Sequence, residues 1–175
     1  YYPFRRAIVN NGRKVVNNRL VRDADGRWGM DLADLEEQII ESGAKLMILC
    51  SPHNPVGRVW NEEELLGLAA VCRRHQVLVI SDEIHADLVH AGYRHIPWLT
   101  LADRDEVVLP FSISLVSATK TFNLPGLTTA YAIAGNRDLS ERIRRMLNGL
   151  GMGGGSTAPL SYAAAEAAWR EGEPW

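Results

Sequence analysis

Apolar positions fall into two kinds of pattern along this 175-residue chain. Leu46-Met47-Ile48-Leu49-Cys50 and Val77-Leu78-Val79-Ile80 are continuous runs too short for helices, the signature of strands buried on both faces. Elsewhere apolar residues recur at helical spacing. Leu32, Leu35, Ile39 and Ile40 share one face of a helix that Asp31 can cap and Ser42-Gly43 can close. Leu65, Leu68, Ala69 and Cys72 make the stripe of a second helix running to His75, and Asn61 with Glu64 three residues later predicts a capping box at its start. Phe4, Ala7 and Ile8 predict a short helix over residues 4–11, stopped by Gly12. Residues 15–21 read as a strand, followed by a turn at 23–26 with Trp28 and Met30 on its far side. Further strands are predicted at 107–109, 113–116 and 127–134, and helices at 139–150 and 158–169, with a glycine-rich break over 149–155 between the last two.

Buried strands alternating with amphipathic helices predict an α/β fold, a three-layer αβα arrangement around a mostly parallel sheet. In such sheets ligands bind just past the carboxyl ends of the strands. The polar residues that follow the apolar runs are therefore the candidates for chemistry: Ser51-Pro52-His53-Asn54, Ser81-Asp82-Glu83-Ile84-His85 and Ser117-Ala118-Thr119-Lys120. Charge narrows the field by exclusion. A net charge of −2 with no basic block argues against nucleic acid, and the Arg142-Arg144-Arg145 cluster reads as a solvated helix face. No apolar run is long enough to span a bilayer, which predicts no membrane partner. Cys50 and Cys72 sit in apolar settings without a paired motif, so reduced thiols and a cytoplasmic location are expected.

Lys120 stands out because only three of the nineteen basic residues are lysines. A lysine can lose its proton and condense with a carbonyl, which an arginine cannot do. An isolated loop lysine is ordinarily just solvated, and Asn54-Pro55-Val56-Gly57 is by itself a turn. Asp82 after a buried strand must be paired, hydrated or neutralised. Glu83 reads as a helix-start or salt-bridge residue. His85, His90 and His95 are spaced by five, which puts them on no common helical face and argues against a three-histidine metal site.

An amide, a carboxylate and an amine at three strand ends suit pyridoxal phosphate, which needs a lysine for its aldehyde, a carboxylate for its ring nitrogen and donors for its phosphate. The segments 51–60, 81–88 and 119–124 closely resemble the fold-type I pyridoxal-phosphate enzymes of the class I/II aminotransferase superfamily. Within it they are most similar to the MalY/PatB branch of cystathionine β-lyases. The resemblance implies Lys120 as the Schiff-base lysine, Asp82 as partner of the pyridine nitrogen and Asn54 as donor to the phenolic oxygen. It further implies Tyr1 stacked on the ring, and Ser117 and Thr119 at the phosphate, with Thr119 standing where the family often has serine. His85 takes the place of a tyrosine near the phenolic oxygen, and the Asp-Glu-Ile-His form points to the lyase branch. The family's substrates are small amino acids and its members are homodimers. On this reading residues 1–175 are a fragment of the large cofactor-binding domain, whose amino-terminal part and carboxy-terminal domain are absent and which is inactive alone. An aminotransferase is the alternative within the fold, and a non-catalytic regulatory protein the alternative outside enzymology. A dinucleotide-binding fold is disfavoured because no G-x-G-x-x-G follows a first strand.

Overall fold

The computed structural model describes residues 1–104, 106–152 and 157–175. Its centre is a four-stranded sheet of β3 (Leu46–Cys50), β4 (Leu78–Asp82), β5 (Ser112–Val116) and β6 (Tyr131–Ala134), lying side by side in that order. The first three are parallel and β6 runs antiparallel to β5, so the sheet is mostly parallel as expected. Two further strands, β1 (Leu20–Arg22) and β2 (Trp28–Met30), form a separate antiparallel pair.

Helix α2 (Leu32–Ser42) follows the sequence closely. Asp31 accepts from the Asp34 N–H at 3.0 Å, and Gly43, at φ +66°, closes the other end by donating to the Ile39 carbonyl at 2.9 Å. In α3 (Glu62–Arg74) the capping box is complete: the Asn61 side chain accepts from the Glu64 N–H at 2.9 Å, and the Glu64 carboxylate accepts from the Asn61 N–H at 2.8 Å. Both helices turn their stripes onto one face of the sheet, where Leu35, Ile39, Leu65, Leu68 and Cys72 meet Leu49 and Val79 in a single core. Burial pushes the Cys72 thiol up to about 12, so it stays protonated. Trp98, on the 3-10 helix Trp98–Asp103, joins this core and donates through Nε1 to the Ser112 hydroxyl at 2.7 Å. That pairing lets an indole lie over a strand whose inward positions are serines, Ser112 and Ser114.

Because strand side chains alternate, Ile48, Cys50, Ile80 and Asp82 face the opposite side. On that side Phe4 of helix α1 (Tyr2–Asn10) lines a pocket together with Cys50 and Asp82, although α1 buries none of its residues. The remaining helices are α4 (Arg137–Gly149), which packs on β6, and α5 (Pro159–Glu171), whose Trp169 ring lies 5.1 Å from that of Tyr131 on β6.

Several predicted elements differ. Of residues 15–21 only the end is strand, because just Leu20–Arg22 finds a pairing partner. Residues 107–109 lie in a 3-10 helix, Glu106–Phe111, and of 127–134 only Tyr131–Ala134 joins the sheet. The strand at 46–50 is buried on one face; Leu49 is covered by the core while Met47, Ile48 and Cys50 are half-buried and Leu46 is exposed. Of the predicted glycine-rich break, residues 153–156 lie outside the described residues.

Candidate active site

The parallel register sets Cys50 beside Asp82 at the carboxyl ends of β3 and β4. Past them opens a cleft lined by Tyr1, Phe4, Cys50, Asn54, Asp82, Ile84, His85 and Lys120. Five of the seven residues singled out in the sequence thus share one cleft.

Each is delivered by a local structure with an evident cause. Asp82 ends β4 and is only 9% exposed, yet among the described residues its carboxylate has one hydrogen bond, a long one from the Ile84 N–H at 3.3 Å. Burial raises its pKa; the Ile84 N–H and then His85 oppose that rise, and Glu83 adds to it. A sunken carboxylate with spare lone pairs suits a cationic partner. Asn54 is carried by a tight loop in which the His53 N–H donates to the Arg58 carbonyl at 2.7 Å and the Gly57 N–H to the His53 carbonyl at 2.8 Å, Gly57 adopting φ +74°. Arg58 secures that loop by pairing with Glu64 at 2.7 Å and donating to the Trp28 carbonyl.

Lys120 lies in the turns that follow β5, where the Phe122 N–H donates to the Ala118 carbonyl at 3.0 Å and the Leu124 N–H to the Thr119 carbonyl at 2.9 Å. Two distant groups fasten this turn: the Thr121 hydroxyl donates to Asp87 at 2.8 Å, and Trp175 Nε1 donates to the Thr121 carbonyl at 3.0 Å. Lys120 itself remains exposed at the mouth of the cleft. His85 is held below its ordinary pKa by burial and then by the Lys120 charge, with Asp82 opposing, so its ring is neutral near pH 7. Tyr1 is 65% exposed and meets Phe4 edge-on, ring centroids 5.1 Å apart.

Ser117 and Thr119 do not line the cleft; they occupy the turn leading to Lys120. The Ser117 hydroxyl donates to the Thr129 carbonyl at 2.7 Å, which leaves its oxygen to accept from the Thr119 N–H at 3.1 Å and the Thr119 hydroxyl at 2.8 Å. For a phosphate to be bound here, the Thr119 hydroxyl must turn its proton away from Ser117.

Sequence reasoning passed over Phe4, Ile84 and Cys50 as lining residues. The signal for Cys50 was its place at the end of a buried run, like Asp82. Burial raises its thiol pKa above the ordinary value, although the Asn54 N–H opposes this, so Cys50 is a protonated wall residue and not a competing nucleophile. Among the described residues no group of three or more histidine, cysteine or acidic side chains could hold a metal ion, and no helix is long and apolar enough to cross a membrane.

Comparison with known proteins bears directly on this cleft. The aminotransferase class I and II family model matches residues 1–173. The chain belongs to that family. It is 37% identical over 175 residues to cystathionine beta-lyase PatB of Bacillus subtilis and 41% identical to protein MalY of Escherichia coli, covering all of this chain but only 44% and 43% of those relatives. The crystal structure of cystalysin from Treponema denticola, which contains a pyridoxal 5'-phosphate cofactor, superposes with a TM-score of 0.90 at 34% identity, over 100% of this chain and 43% of cystalysin. The chain therefore spans less than half the length of these relatives, and the aminotransferase-family fold covers it from end to end.

Proposed function

We propose that this chain is part of the large domain of a pyridoxal-phosphate-dependent carbon–sulfur β-lyase, which with one water converts cystathionine or another cysteine S-conjugate to a thiol, pyruvate and ammonia. The observation that carries this reading is the meeting of Lys120, Asp82 and Asn54 in one cleft at the carboxyl ends of a mostly parallel sheet. The donor set fits the cofactor. Asp82, buried and under-bonded, would face the ring nitrogen; Lys120 would hold the aldehyde, Asn54 and His85 the side of the phenolic oxygen, and Tyr1 the ring face. Ser117 and Thr119 would serve the phosphate.

When bound, pyridoxal phosphate supplies an electron sink for the carbanion that forms at the substrate's Cα. The chain's own contribution is proton handling and electrostatics. Lys120, with its amine free, would take the Cα proton, a role that needs a group able to be both amine and ammonium. Asp82 would keep the ring nitrogen cationic, and that cation would in turn relieve the burial of the Asp82 charge. A neutral His85 can donate or accept one hydrogen bond without adding a positive charge beside Lys120.

The same residues serve amino-group transfer, and the family's own description as aminotransferases favours that as the second reading. A homodimer is supported by large apolar side chains left exposed, among them Tyr2, Met146 and Leu160. A cytoplasmic location is supported by two unpaired cysteines.

The test is the visible spectrum of the whole protein carrying this chain after incubation with pyridoxal phosphate, beside its Lys120→Ala variant, followed by cystathionine. A cofactor that borohydride fixes covalently to the wild-type protein but not to Lys120→Ala, with pyruvate released from cystathionine, is the expected result. A cofactor band without pyruvate, but with amino transfer to a keto acid, selects the aminotransferase. A protein that takes up no cofactor rules out both.

A further inference from the structure

Directly behind Asp82 lies a second acid that the cleft does not use. Glu83 follows Asp82 at the end of β4, and its side chain turns to the opposite face of the sheet, where it is only 2% exposed. Both of its oxygens are engaged. Oε1 accepts from the Trp98 N–H at 3.1 Å and the Ser114 hydroxyl at 2.7 Å, and Oε2 lies 3.0 Å from Nε2 of His95. The His95 side chain is itself 7% exposed, and its Nδ1 is buried with no hydrogen-bond partner among the described residues. With Oε1 already accepting twice, the set is completed when Nε2 donates to Oε2 of the carboxylate.

A buried acid saturated in this way is far more constrained than a strand end requires. The peptide between Asp82 and Glu83 is held from both sides as well, since the Ser51 N–H donates to the Asp82 carbonyl at 3.0 Å and the Glu83 N–H to the Leu115 carbonyl at 2.9 Å. The Asp82 carboxylate, by contrast, has one long hydrogen bond among the described residues. What fixes the direction in which its carboxylate projects is therefore the anchored residue next to it.

We propose that Glu83 and His95 form a buried brace that aims Asp82 into the cleft, acting as positioning residues for the cofactor's ring nitrogen. The inference rests on the reading of Asp82 given above. Neither residue touches the cleft, and their effect passes through the Asp82–Glu83 backbone.

The test is a set of pyridoxal-phosphate dissociation constants for the whole protein, read by tryptophan quenching, with urea unfolding of the cofactor-free form alongside. Glutamine carries its amide nitrogen where histidine carries Nε2, and asparagine carries it where histidine carries Nδ1. His95→Gln is therefore expected to bind cofactor within about twofold of wild type and His95→Asn about tenfold more weakly, the loss typical of a hydrogen bond to a charged group. Ser114→Ala, which removes one donor to Glu83 and little volume, is expected to weaken binding by about threefold to tenfold, and it keeps the question open to measurement should His95→Asn not fold. In an Asp82→Asn background the His95→Asn and Ser114→Ala effects are expected to shrink below about twofold, because coupled residues are not additive. Equal losses in both backgrounds, or unchanged affinity in His95→Asn and Ser114→Ala, overturn the brace while leaving Asp82 in its role. Equal binding by wild type and Asp82→Asn, or no binding by wild type, removes the role of Asp82 and the brace with it.

Discussion

Asp82 shows how a site can be built against the stability of its own fold. Its pKa is raised above the ordinary value of 3.8 by burial, so the folded state holds its proton more tightly than the unfolded chain does. Between 3.8 and the folded pKa, the native state binds more protons than the unfolded one, and stability falls as pH rises through that window. The loss persists at neutral pH unless a cation enters the cleft. Asp82→Asn keeps an oxygen to accept from the Ile84 N–H and has no charge to bury. Without cofactor, the variant is expected to match or exceed the wild-type urea midpoint at pH 7, with the gap closing as pH drops toward 3.8; a midpoint clearly below wild type at pH 7 contradicts this account. Under the proposed role of Asp82 as partner of the ring nitrogen, adding pyridoxal phosphate is expected to reverse the order.

At the scale of elements, the helix ends were the most legible part of the sequence, since a cap is a local bond between residues three apart. Asn61→Ala removes the side-chain half of the α3 capping box and is expected to destabilise by about 1 kcal/mol, measurable by urea titration. Gly135 illustrates a constraint that no spacing reveals: a Cβ there would lie 2.0 Å from the Leu109 carbonyl oxygen. Gly135→Ala must push β6 away from the 3-10 helix before it, and a loss of more than about 2 kcal/mol is expected. Strands were read less well where pairing decides. Residues 15–21 and 107–109 have strand composition, but β-propensity is realised only against a neighbour, and most of these residues have none. The site followed the same rule. Asn54, Asp82 and Lys120 were legible because each closes an apolar run or follows one, whereas the bond from His95 to Glu83 crosses twelve residues of irregular chain with no period to betray it.

Across the whole molecule, burial is uneven. The face of the sheet beneath α2 and α3 holds Leu49, Val79, Leu65 and the fully covered Leu68, while on the other face Ile48, Leu78 and Ile80 are half-buried. Amide exchange is expected to be slowest in β4, which has strands on both sides and the core beneath it, and fast in the β1–β2 pair; protection of β1 equal to that of β4 contradicts this ordering. Truncating Leu68 to alanine opens a cavity in this core and is expected to lose about 2–5 kcal/mol, whereas a matching truncation of the 64%-exposed Ile40 is expected to lose less than about 1 kcal/mol.

The clamp on the Lys120 turn also has a bearing on how the protein is born. Trp175 reaches back 54 residues to bond the Thr121 carbonyl. A ribosome adding about 5–20 residues per second needs roughly 3–11 s to cover that interval. Throughout it, the buried core residues from Leu35 to Val108 have already been made, but Lys120 is not yet fastened in place. The turn that carries Lys120 is thus fastened only once Trp175 has emerged, later than the core it stands on.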